Sequence, residues 1–367
     1  MKKEIFDVKP NFGIFNTLKY KGGEQIEKSD HNVSKLNSNE NPFGPSPRAI
    51  DAIRKCLTDL SIYPSSSHRL LREKIAETHS LDYNKIACGA GSDEIISFIC
   101  QCFCGVGDEV IHTVHGFAMY KISALLRGAI PVEVAEKNRV ADVEAILKNC
   151  SEKTRIVFLA NPNNPTGTFL KDGDIKVLLE SLPKNVLIVL DGAYAEYIKG
   201  FDGGISHVAN FNNLIILRTF SKIYGLASLR VGWCYASERI IETINQVRGP
   251  FNLSAPAIAA ASASVQDNEY LDYCRKENLN LRESLKKNLT SLGLRVPSSN
   301  ANFLLADFKS KLQADAAAEY LRSKKILVRR VDDYNLPKSL RISIGKRSDC
   351  AKLTEKMQSF METQNVI

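Results

Sequence analysis

Residues 217–233 read LRTFSKIYGLASLRVGW, and this stretch joins two apolar runs through a polar loop that contains glycine. We predict one strand over Leu214–Thr219 and a second over Arg230–Tyr235. Ser221 and Lys222 lie in the loop directly after the first strand. Taken alone, Lys222 would be interpreted as a solvated loop lysine, and Arg230, which opens the second strand, would be interpreted as a surface charge. Whether they have a chemical role must be judged from the rest of the sequence.

Outward from this stretch, short apolar runs rich in Val and Ile alternate with helix-like segments from about residue 85 to 236. Several runs are apolar on consecutive residues, as at 186–190, which indicates strands buried on both faces. The pattern predicts an α/β fold with a mostly parallel central sheet covered by helices. The other predicted strands of this sheet are Glu109–Thr113, Arg155–Ala160 and Val186–Asp191.

Helical spacing is found on both sides of this region. It predicts helices over 47–60 and 68–79, and one long helix from residue 256 to about 292. Beyond residue 292, strands and helices alternate in a compact α+β pattern. The elements predicted there are strands over 302–308, 326–331 and 340–344 and helices over 311–324 and 348–362.

The chain has 367 residues, 44% of them hydrophobic and 25% charged, which is enough apolar content for a sizeable core. No linker rich in Pro, Gly or Ser separates the C-terminal third from the rest. We divide the chain into an N-terminal segment over 1–46 that packs with the small domain, a large α/β domain over 47–255, and a small α+β domain over 256–367.

Composition argues against several classes of protein. The net charge is +8, but the basic residues are scattered among 41 acidic ones and form no block of the kind that binds nucleic acid. No apolar run approaches the ~20 residues of a membrane span. The nine cysteines are odd in number and form no disulfide framework. We therefore expect a cytoplasmic protein with free thiols and with no nucleic-acid, membrane or metal partner.

Two motifs lie at the ends of predicted strands, where open α/β sheets place their ligand sites, and a third starts a helix. VLIVLDGAYAEY at 186–197 puts Asp191 at the end of a buried strand, and NPNNPTG at 161–167 is a turn signal on Pro and Gly content alone. GAGSDE at 89–94 starts a helix that Ser92 or Asp93 can cap. Exposed amides at a helix start suit a phosphate, although such a start is more often only a cap.

The remaining candidates are polar or aromatic residues outside that core pattern. KLNSNENPFGPSP at 35–47 is polar and rich in proline, as expected of a segment that lines a site. Phe117 and Tyr63 are aromatic residues that a core could equally absorb. Arg329 and Arg341 each lie on a predicted strand, and arginine is suited to carboxylate and phosphate groups. The neighbouring Arg330 should point to the opposite face of a regular strand.

Together, these motifs make the chain resemble the aspartate-aminotransferase fold group of pyridoxal phosphate enzymes, known as fold type I, and within it the histidinol-phosphate aminotransferase family. The motifs are YP, GSDE, NPNNPTG, D-x-A-Y and S-K-x-x-G-L-A-x-x-R, in the family's order from Leu36 to Gly345. The chain departs from the usual pattern at Gly192, where the family has Glu.

The resemblance implies pyridoxal phosphate as cofactor and a role for each matching residue. Lys222 would bind the cofactor covalently and move the proton of the substrate, and a nearby cation such as Arg230 would lower its pKa from about 10.4. Asp191 would pair with the ring nitrogen, a charge pair worth about 4 kcal/mol at about 4 Å and an effective dielectric of about 20. Asn164 and Tyr194 would donate to the ring oxygen, and Phe117 would stack on the ring.

The resemblance also assigns the phosphate and substrate groups. The cofactor phosphate would be held by Gly91, Ser92, Asp93, Ser221 and Arg230. Tyr63 would reach the phosphate of the other subunit, which implies a homodimer with shared sites. Asn39 would border the substrate, and its anionic group would bind Arg329 and Arg341.

Two arginines favour a dianionic phosphate over a single carboxylate, so the expected reaction converts histidinol phosphate and 2-oxoglutarate into imidazole-acetol phosphate and glutamate, in histidine synthesis. An aromatic aminotransferase and a threonine-phosphate decarboxylase share the cofactor motifs and stay open as alternatives. An effector sensor that binds the cofactor without turnover is a third alternative, although such proteins usually carry an added DNA-binding domain.

Overall fold

The computed structural model describes residue 10, residues 13–17, 19–20 and 22–24, and residues 32–364. The predicted N-terminal segment 1–46 therefore lies partly outside the described residues. A seven-stranded sheet, a four-stranded sheet and a two-stranded hairpin organise this part of the chain. None of the helices described within it is long and apolar enough to cross a membrane.

The strands and helices follow one another in a regular order. The strands are β1 (Ser34–Leu36), β2 (Ile86–Gly89), β3 (Glu109–Thr113), β4 (Ile130–Val134), β5 (Glu136–Lys137), β6 (Val140–Ala141), β7 (Thr154–Ala160), β8 (Leu187–Asp191), β9 (Leu214–Thr219), β10 (Gly232–Tyr235), β11 (Phe303–Asp307), β12 (Ile326–Arg330) and β13 (Ser339–Ser343). The helices are α1 (Pro47–Cys56), α2 (Arg69–His79), α3 (Ser92–Phe103), α4 (Ala118–Leu126), α5 (Val143–Lys148), α6 (Asp172–Ser181), α7 (Glu238–Val247), α8 (Ala255–Val265), α9 (Asn268–Ser291), α10 (Lys311–Ser323) and α11 (Arg347–Gln364).

The large sheet has the strand order β2-β10-β9-β8-β7-β3-β4. All neighbouring strands in it are parallel except β10, which is antiparallel to both β2 and β9. The predicted α/β fold with a mostly parallel sheet is confirmed. The predicted strand bounds agree with β3 and β9, while β7 begins one residue earlier and β8 one residue later than predicted.

The two faces of the large sheet are covered by separate apolar clusters. Ile188 and Leu190 of β8 belong to one cluster, and Leu187 and Val189 belong to the other. Every residue of β8 and β9 is buried, as their unbroken apolar runs predict. Each buried Leu, Ile or Val of these strands contributes about 1.5–3 kcal/mol of transfer free energy, which gives the site a rigid base.

The small sheet has the order β1-β12-β13-β11, and it takes one strand from the N-terminal segment. β1 runs parallel to β12, with Ser34 opposite Ile326. Helices α9, α10 and α11 contribute Leu285, Leu321 and Leu353 to the core beside this sheet. Sequence periodicity did not predict β1, because a three-residue strand is too short to show alternation.

Three local predictions were wrong. Neither Ser92 nor Asp93 caps α3, because the helix begins at Ser92, after Gly91, and no side chain forms a cap there. Arg230 does not open β10 but precedes it in the left-handed conformation, with φ +52°. The single helix predicted over 256–292 is two helices, because Asp267 leaves the helical conformation and its side chain accepts a hydrogen bond from Tyr270 N at the start of α9. A short acidic side chain competes in this way with continued helix, so it favours a cap.

Candidate active site

A cavity of about 270 Å³ lies at the carboxyl ends of β7, β8 and β9. The last residues of these strands line it, and two arginines reach it from the small sheet. Every predicted site residue except Gly91 and Tyr63 lines this cavity: Asn39, Ser92, Asp93, Phe117, Asn164, Asp191, Tyr194, Ser221, Lys222, Arg230, Arg329 and Arg341. Residues far apart in sequence therefore converge on one space.

Lys222 lies in the loop between β9 and β10, and a tight turn fixes its backbone. Its carbonyl accepts a hydrogen bond from Gly225 N at 2.9 Å. Gly225 has φ +70°, and a Cβ there would collide with the backbone of Gly44, so the turn requires glycine. The amine Nζ of Lys222 lies 3.5 Å from the carbonyl oxygen of Ser38 and 5.7 Å from the centre of the Tyr194 ring.

Asp191 ends β8 and is only 4% exposed. The hydroxyl of Tyr120 donates to its Oδ2 at 2.7 Å, and the backbone N–H of Ala193 donates to its Oδ1 at 3.0 Å. Burial raises the pKa of Asp191, while these two hydrogen bonds and the charge of Lys222 act in the opposite direction. The site therefore holds a desolvated carboxylate whose orientation is fixed by two donors.

Tyr194 lies three residues after Asp191, in the loop that follows β8, and a residue of the N-terminal segment holds its hydroxyl. Asn39 Nδ2 donates to the Tyr194 hydroxyl at 3.0 Å. Asn39 has φ +57°, and its side-chain oxygen and backbone N–H both bond the Ser343 hydroxyl at 2.8 Å. Asparagine tolerates this backbone conformation better than most residues, which explains its presence here.

Arg341 on β13 is buried and lies against Asn164. Its Nη1 donates to Asn164 Oδ1 at 2.6 Å, and its Nη2 donates to the carbonyl of Asn37 at 2.9 Å. The Nε of Arg341 is buried and makes no hydrogen bond within the described part of the chain. The guanidinium is thus oriented by two acceptors, and three of its five N–H donors, that of Nε among them, make no hydrogen bond within the described part of the chain.

Arg230 meets the start of α3 beside the cavity. Its Nη1 donates to Ser221 Oγ at 3.1 Å and its Nη2 to Asp93 Oδ2 at 3.2 Å. Gly91 precedes the helix with φ +82°, and a Cβ there would collide with the guanidinium, so only glycine allows this approach. A cation, a hydroxyl and the amides that begin at Ser92 converge, which suits a phosphate group.

Phe117 is half-buried beside the cavity. Its ring lies edge-on to Tyr120, with ring centres 5.8 Å apart, and edge-on to Tyr20, with ring centres 6.3 Å apart. These contacts fix the Phe117 ring as part of the wall and leave it in contact with the cavity.

The two adjacent arginines of β12 point to opposite faces. Arg329 lines the cavity, and it donates to the carbonyl of Gly22 at 2.7 Å and to Asp333 Oδ2 at 2.8 Å. Arg330 instead donates to Glu319 of α10 at 2.8 Å. The alternation predicted for a regular strand is present.

Three tyrosines of the cavity wall were missed by sequence reasoning: Tyr20, Tyr120 and Tyr334. Tyr120 follows Phe117 by three residues, so a helix starting there puts both on one face, and this spacing could have identified it. Tyr20 and Tyr334 lie in short irregular segments with no motif around them. Only the tertiary fold brings them to the site.

Tyr63 is not part of this cavity. It is 79% exposed and stacks on Phe251, with ring centres 4.6 Å apart. Tyr63 therefore lies outside its own chain's cavity, and its predicted contact with the phosphate of the other subunit stays a prediction.

Gly192, which stands where the family pattern has Glu, lies against the buried ion pair between Arg218 and Glu196. A Cβ at Gly192 would lie 3.2 Å from Cδ and Nε of Arg218. Arg218 Nη1 is 3.0 Å from Glu196 Oε1, and both side chains are buried. Arg218 Nη2 also donates to the carbonyl of Asp202. The space beside position 192 is thus occupied by the Arg218 side chain.

The chemistry of these groups fits pyridoxal phosphate. The phosphate would fit between Arg230, Ser221 and the start of α3. Gly91 belongs to this phosphate site, because its missing side chain leaves room for the Arg230 guanidinium. Asp191 is an acceptor for a protonated ring nitrogen, and Lys222 is an amine beside them. The donor and acceptor set matches an anionic, nitrogen-containing aromatic ring.

Known proteins give the same assignment. Residues 31–357 match the family described as Aminotransferase class I and II. The chain is 49% identical over 353 residues to the histidinol-phosphate aminotransferase of Ruegeria sp. (strain TM1040), covering 96% of this chain and 98% of that protein. It is 44% identical to the enzyme of that name from Paracoccus denitrificans (strain Pd 1222), covering 98% of each.

A solved structure agrees with these sequence relatives. The histidinol-phosphate aminotransferase from Sinorhizobium meliloti, in complex with pyridoxal-5'-phosphate, superposes with a TM-score of 0.86. The two chains are 26% identical, and the match covers 90% of this chain and 91% of that one.

The Arg218–Glu196 ion pair leads to a stability prediction. Arg218→Met leaves the Glu196 carboxylate buried without its cation, so we expect a loss of about 3–5 kcal/mol in the free energy of unfolding. The pKa of folded Glu196, already raised by burial, rises further above its unfolded value of about 4.3. The loss is therefore smallest below that pH and grows as the pH rises towards the folded pKa. Urea unfolding at several pH values measures it.

The double variant Arg218→Met with Glu196→Gln should lose much less stability than the single variant, because no buried charge is left unpaired. Arg239→Met changes an exposed arginine and serves as the control. Equal losses for the single variant at pH 4 and pH 8 would contradict the explanation.

Proposed function

Because the chain belongs to the aminotransferase class I and II family, we propose that it transfers the amino group of histidinol phosphate to 2-oxoglutarate, giving imidazole-acetol phosphate and glutamate. It is a pyridoxal phosphate-dependent aminotransferase. The proposed reaction serves histidine synthesis, in keeping with the names of relatives that match it over nearly its whole length. The choice of substrate rests on one observation, the pair of arginines Arg329 and Arg341 on the small-sheet side of the cavity.

Lys222 carries the central role in this proposal. Bound pyridoxal phosphate supplies a ring that accepts electrons from the carbon bearing the substrate amine. Lys222 would hold the cofactor covalently, and its Nζ would take and return the proton of that carbon. The glycine-dependent turn fixes the Lys222 backbone, and Nζ lies at the cavity beside Tyr194.

The other residues hold the cofactor in a fixed orientation. Asp191 keeps the ring nitrogen protonated by charge pairing, and Asn164 and Tyr194 donate to the ring oxygen. Gly91, Ser92, Asp93, Ser221 and Arg230 hold the phosphate, with Asp93 acting through its backbone while its carboxylate pairs with Arg230. Phe117 stacks on the ring.

The substrate lies between the cofactor and the small sheet. Asn39 borders it, as the position of that side chain beside Tyr194 suggests. Arg341 and Arg329 take its phosphate, because a dianion matches two cations better than a single carboxylate does. The same arginines take the carboxylates of glutamate in the second half of the reaction.

A second copy of the chain completes the site in this proposal. Leu57, Leu60, Ile62, Tyr63 and Phe251 form an exposed apolar patch, with between 44% and 79% of each side chain accessible. Next to it, Asn252 donates to Glu94, which accepts from Ala90 N in the loop before α3. A patch of this kind, continuous with the phosphate loop, favours a partner surface. Tyr63 would then reach the phosphate in the partner's site.

A cytoplasmic location is part of the proposal. All nine cysteines are free thiols, and five of them are buried. Free buried thiols are typical of a reducing compartment.

The role of Lys222 is tested by reducing the cofactor-loaded protein with borohydride and mapping the labelled peptide. We expect the pyridoxyl group on Lys222, and we expect Lys222→Ala to lower the turnover number about 10²–10⁴-fold through loss of the proton-transfer group. Lys276→Ala, an exposed lysine on α9, should change neither result. A label on another lysine would overturn the assignment.

The substrate is tested by mixing the loaded protein with single amino donors and following cofactor absorbance. Histidinol phosphate should react much faster than phenylalanine, tyrosine or threonine phosphate. Arg329→Met should raise the concentration of histidinol phosphate needed for half-saturation about 10–100-fold, since a hydrogen bond to a charged group contributes about 1.5–3 kcal/mol.

Arg330→Met is the matched control, because the adjacent arginine points to the other face and bonds Glu319. It should leave half-saturation unchanged. If phenylalanine reacts much faster than histidinol phosphate, the chain is an aromatic aminotransferase instead, and release of carbon dioxide from threonine phosphate would identify a decarboxylase.

Sharing of the site between subunits is tested with mixed variants. Lys222→Ala and Tyr63→Ala subunits should each be poorly active alone, but a hybrid dimer holds one site with both residues intact. Random mixing of equal amounts then restores about a quarter of wild-type activity. A mixture of Lys222→Ala and Arg230→Ala is the control and should recover nothing, because those residues serve the same chain's site. Absence of recovery in the first mixture, with subunit exchange verified, would refute the shared site.

A further inference from the structure

Tyr120 on α4 is one of the most completely buried polar side chains beside the cavity. It is 1% exposed, and its hydroxyl donates to Asp191 Oδ2 at 2.7 Å. Its ring stacks parallel to Phe158 of β7 with centres 4.6 Å apart and planes 2° apart, and Phe117 lies edge-on to it. Two neighbouring aromatic rings therefore fix the Tyr120 ring and the position of its hydroxyl oxygen.

This hydrogen bond is made to Oδ2 of the Asp191 carboxylate, the oxygen that the backbone does not bond. Asp191 Oδ1 has the N–H of Ala193, whereas Oδ2 accepts from no donor other than Tyr120 within residues 32–364. The charged groups that face Asp191 are Lys222, which favours its ionised form, and Asp93, which opposes it. Tyr194 faces the same space and is held by Asn39 rather than by the carboxylate.

The Tyr120 hydroxyl acts as a donor in its neutral form. Burial and the neighbouring Asp191 charge hold the pKa of the Tyr120 hydroxyl well above its usual range, so it keeps its proton at neutral pH. A hydrogen bond to a carboxylate favours the ionised form over the neutral one. This bond thus counteracts the burial that would otherwise neutralise Asp191.

We propose that Tyr120 is a positioning residue for the cofactor, whose hydroxyl keeps the Asp191 carboxylate ionised and fixes its orientation in the cavity. The proposal rests on the role of Asp191 in the proposed function. Tyr120 acts through Asp191 and has no contact of its own to make with the reacting atoms. An ionised Asp191 is what a protonated ring nitrogen requires, so the effect passes to the cofactor through one carboxylate.

The first experiment uses the protein without cofactor and measures the ionisation of Asp191 directly. Infrared spectra of protein labelled with ¹³C-aspartate, over a pH series, report the carboxyl band, and its loss in Asp191→Asn identifies it. In Tyr120→Phe the acid dissociation constant of Asp191 should fall about 10–100-fold, as expected for one charge-assisted hydrogen bond. Tyr235→Phe, a buried tyrosine on β10, is the matched control and should leave the band unchanged.

A second variant moves the effect in the opposite direction while keeping the hydroxyl and the aromatic ring of the tyrosine. A fluorinated tyrosine at position 120 has a more acidic hydroxyl and is a stronger donor, so it should raise the acid dissociation constant of Asp191 above the wild-type value. A packing role alone would not predict opposite shifts from the two substitutions. Unchanged ionisation of Asp191 in both variants would overturn the proposal.

The holoprotein gives an independent readout. The affinity of Tyr120→Phe for pyridoxal phosphate, followed by quenching of Trp233 fluorescence, should fall about tenfold. As the pH is lowered, Asp191 becomes neutral in the variant before it does so in the wild type, and the loss of affinity should be largest in that pH range. A loss that is equal at all pH values and shared with Tyr235→Phe would mean a structural role and refute the proposal. If Lys222 carried no label while the infrared shift was present, the proposed function would fail and the Tyr120–Asp191 coupling would stand.

Discussion

Parallel pairing brings the carboxyl ends of neighbouring strands to the same edge of a sheet, and this geometric constraint organises the whole site. β7, β8 and β9 end at Ala160, Asp191 and Thr219, so the segments that follow them open into one cavity. The strands are buried on both faces, which makes their ends rigid. Lys222 and Asp191 owe their proximity to this pairing, because β8 and β9 are adjacent and in register over four residue pairs. The small sheet only has to supply the opposite wall.

The sequence predicted what depends on local pattern and on motif. Unbroken apolar runs predicted β8 and β9 almost to the residue, since strands buried on both faces leave little room for polar positions. Candidate residues next to strand ends or in glycine-rich turns, such as Lys222, line one cavity in the structure. Features set by tertiary contacts were missed. Tyr20 lies in a segment without periodicity, and the break at Asp267 depends on a single cap in an otherwise helical stretch.

The Arg218–Glu196 ion pair lies beside Gly192, the position at which the chain departs from the usual family pattern. A buried ion pair gains little over a well-packed apolar pair, but it is costly to break, so it must be kept whole. Arg218 takes the space beside Gly192, and an added Cβ at Gly203 would lie 2.8 Å from its Nη2, so two glycines accommodate one side chain. Gly192 is therefore part of the packing around the Arg218 side chain. This packing lies on the face of the sheet away from Asp191, because Arg218 and Leu217 alternate along β9.

The pairing of β1 with β12 has a consequence for the order in which the molecule is made. Ser34 and Ile326 are neighbours in the small sheet, yet they lie near opposite ends of the chain. A ribosome adding about 5–20 residues per second needs on the order of 15–60 s between them, and β1 has no partner strand during that time. The large sheet can form while synthesis continues, because its strands lie between residues 86 and 235. The wall that carries Arg329 and Arg341 is thus the last to assemble, and an incomplete nascent chain has half of a cavity.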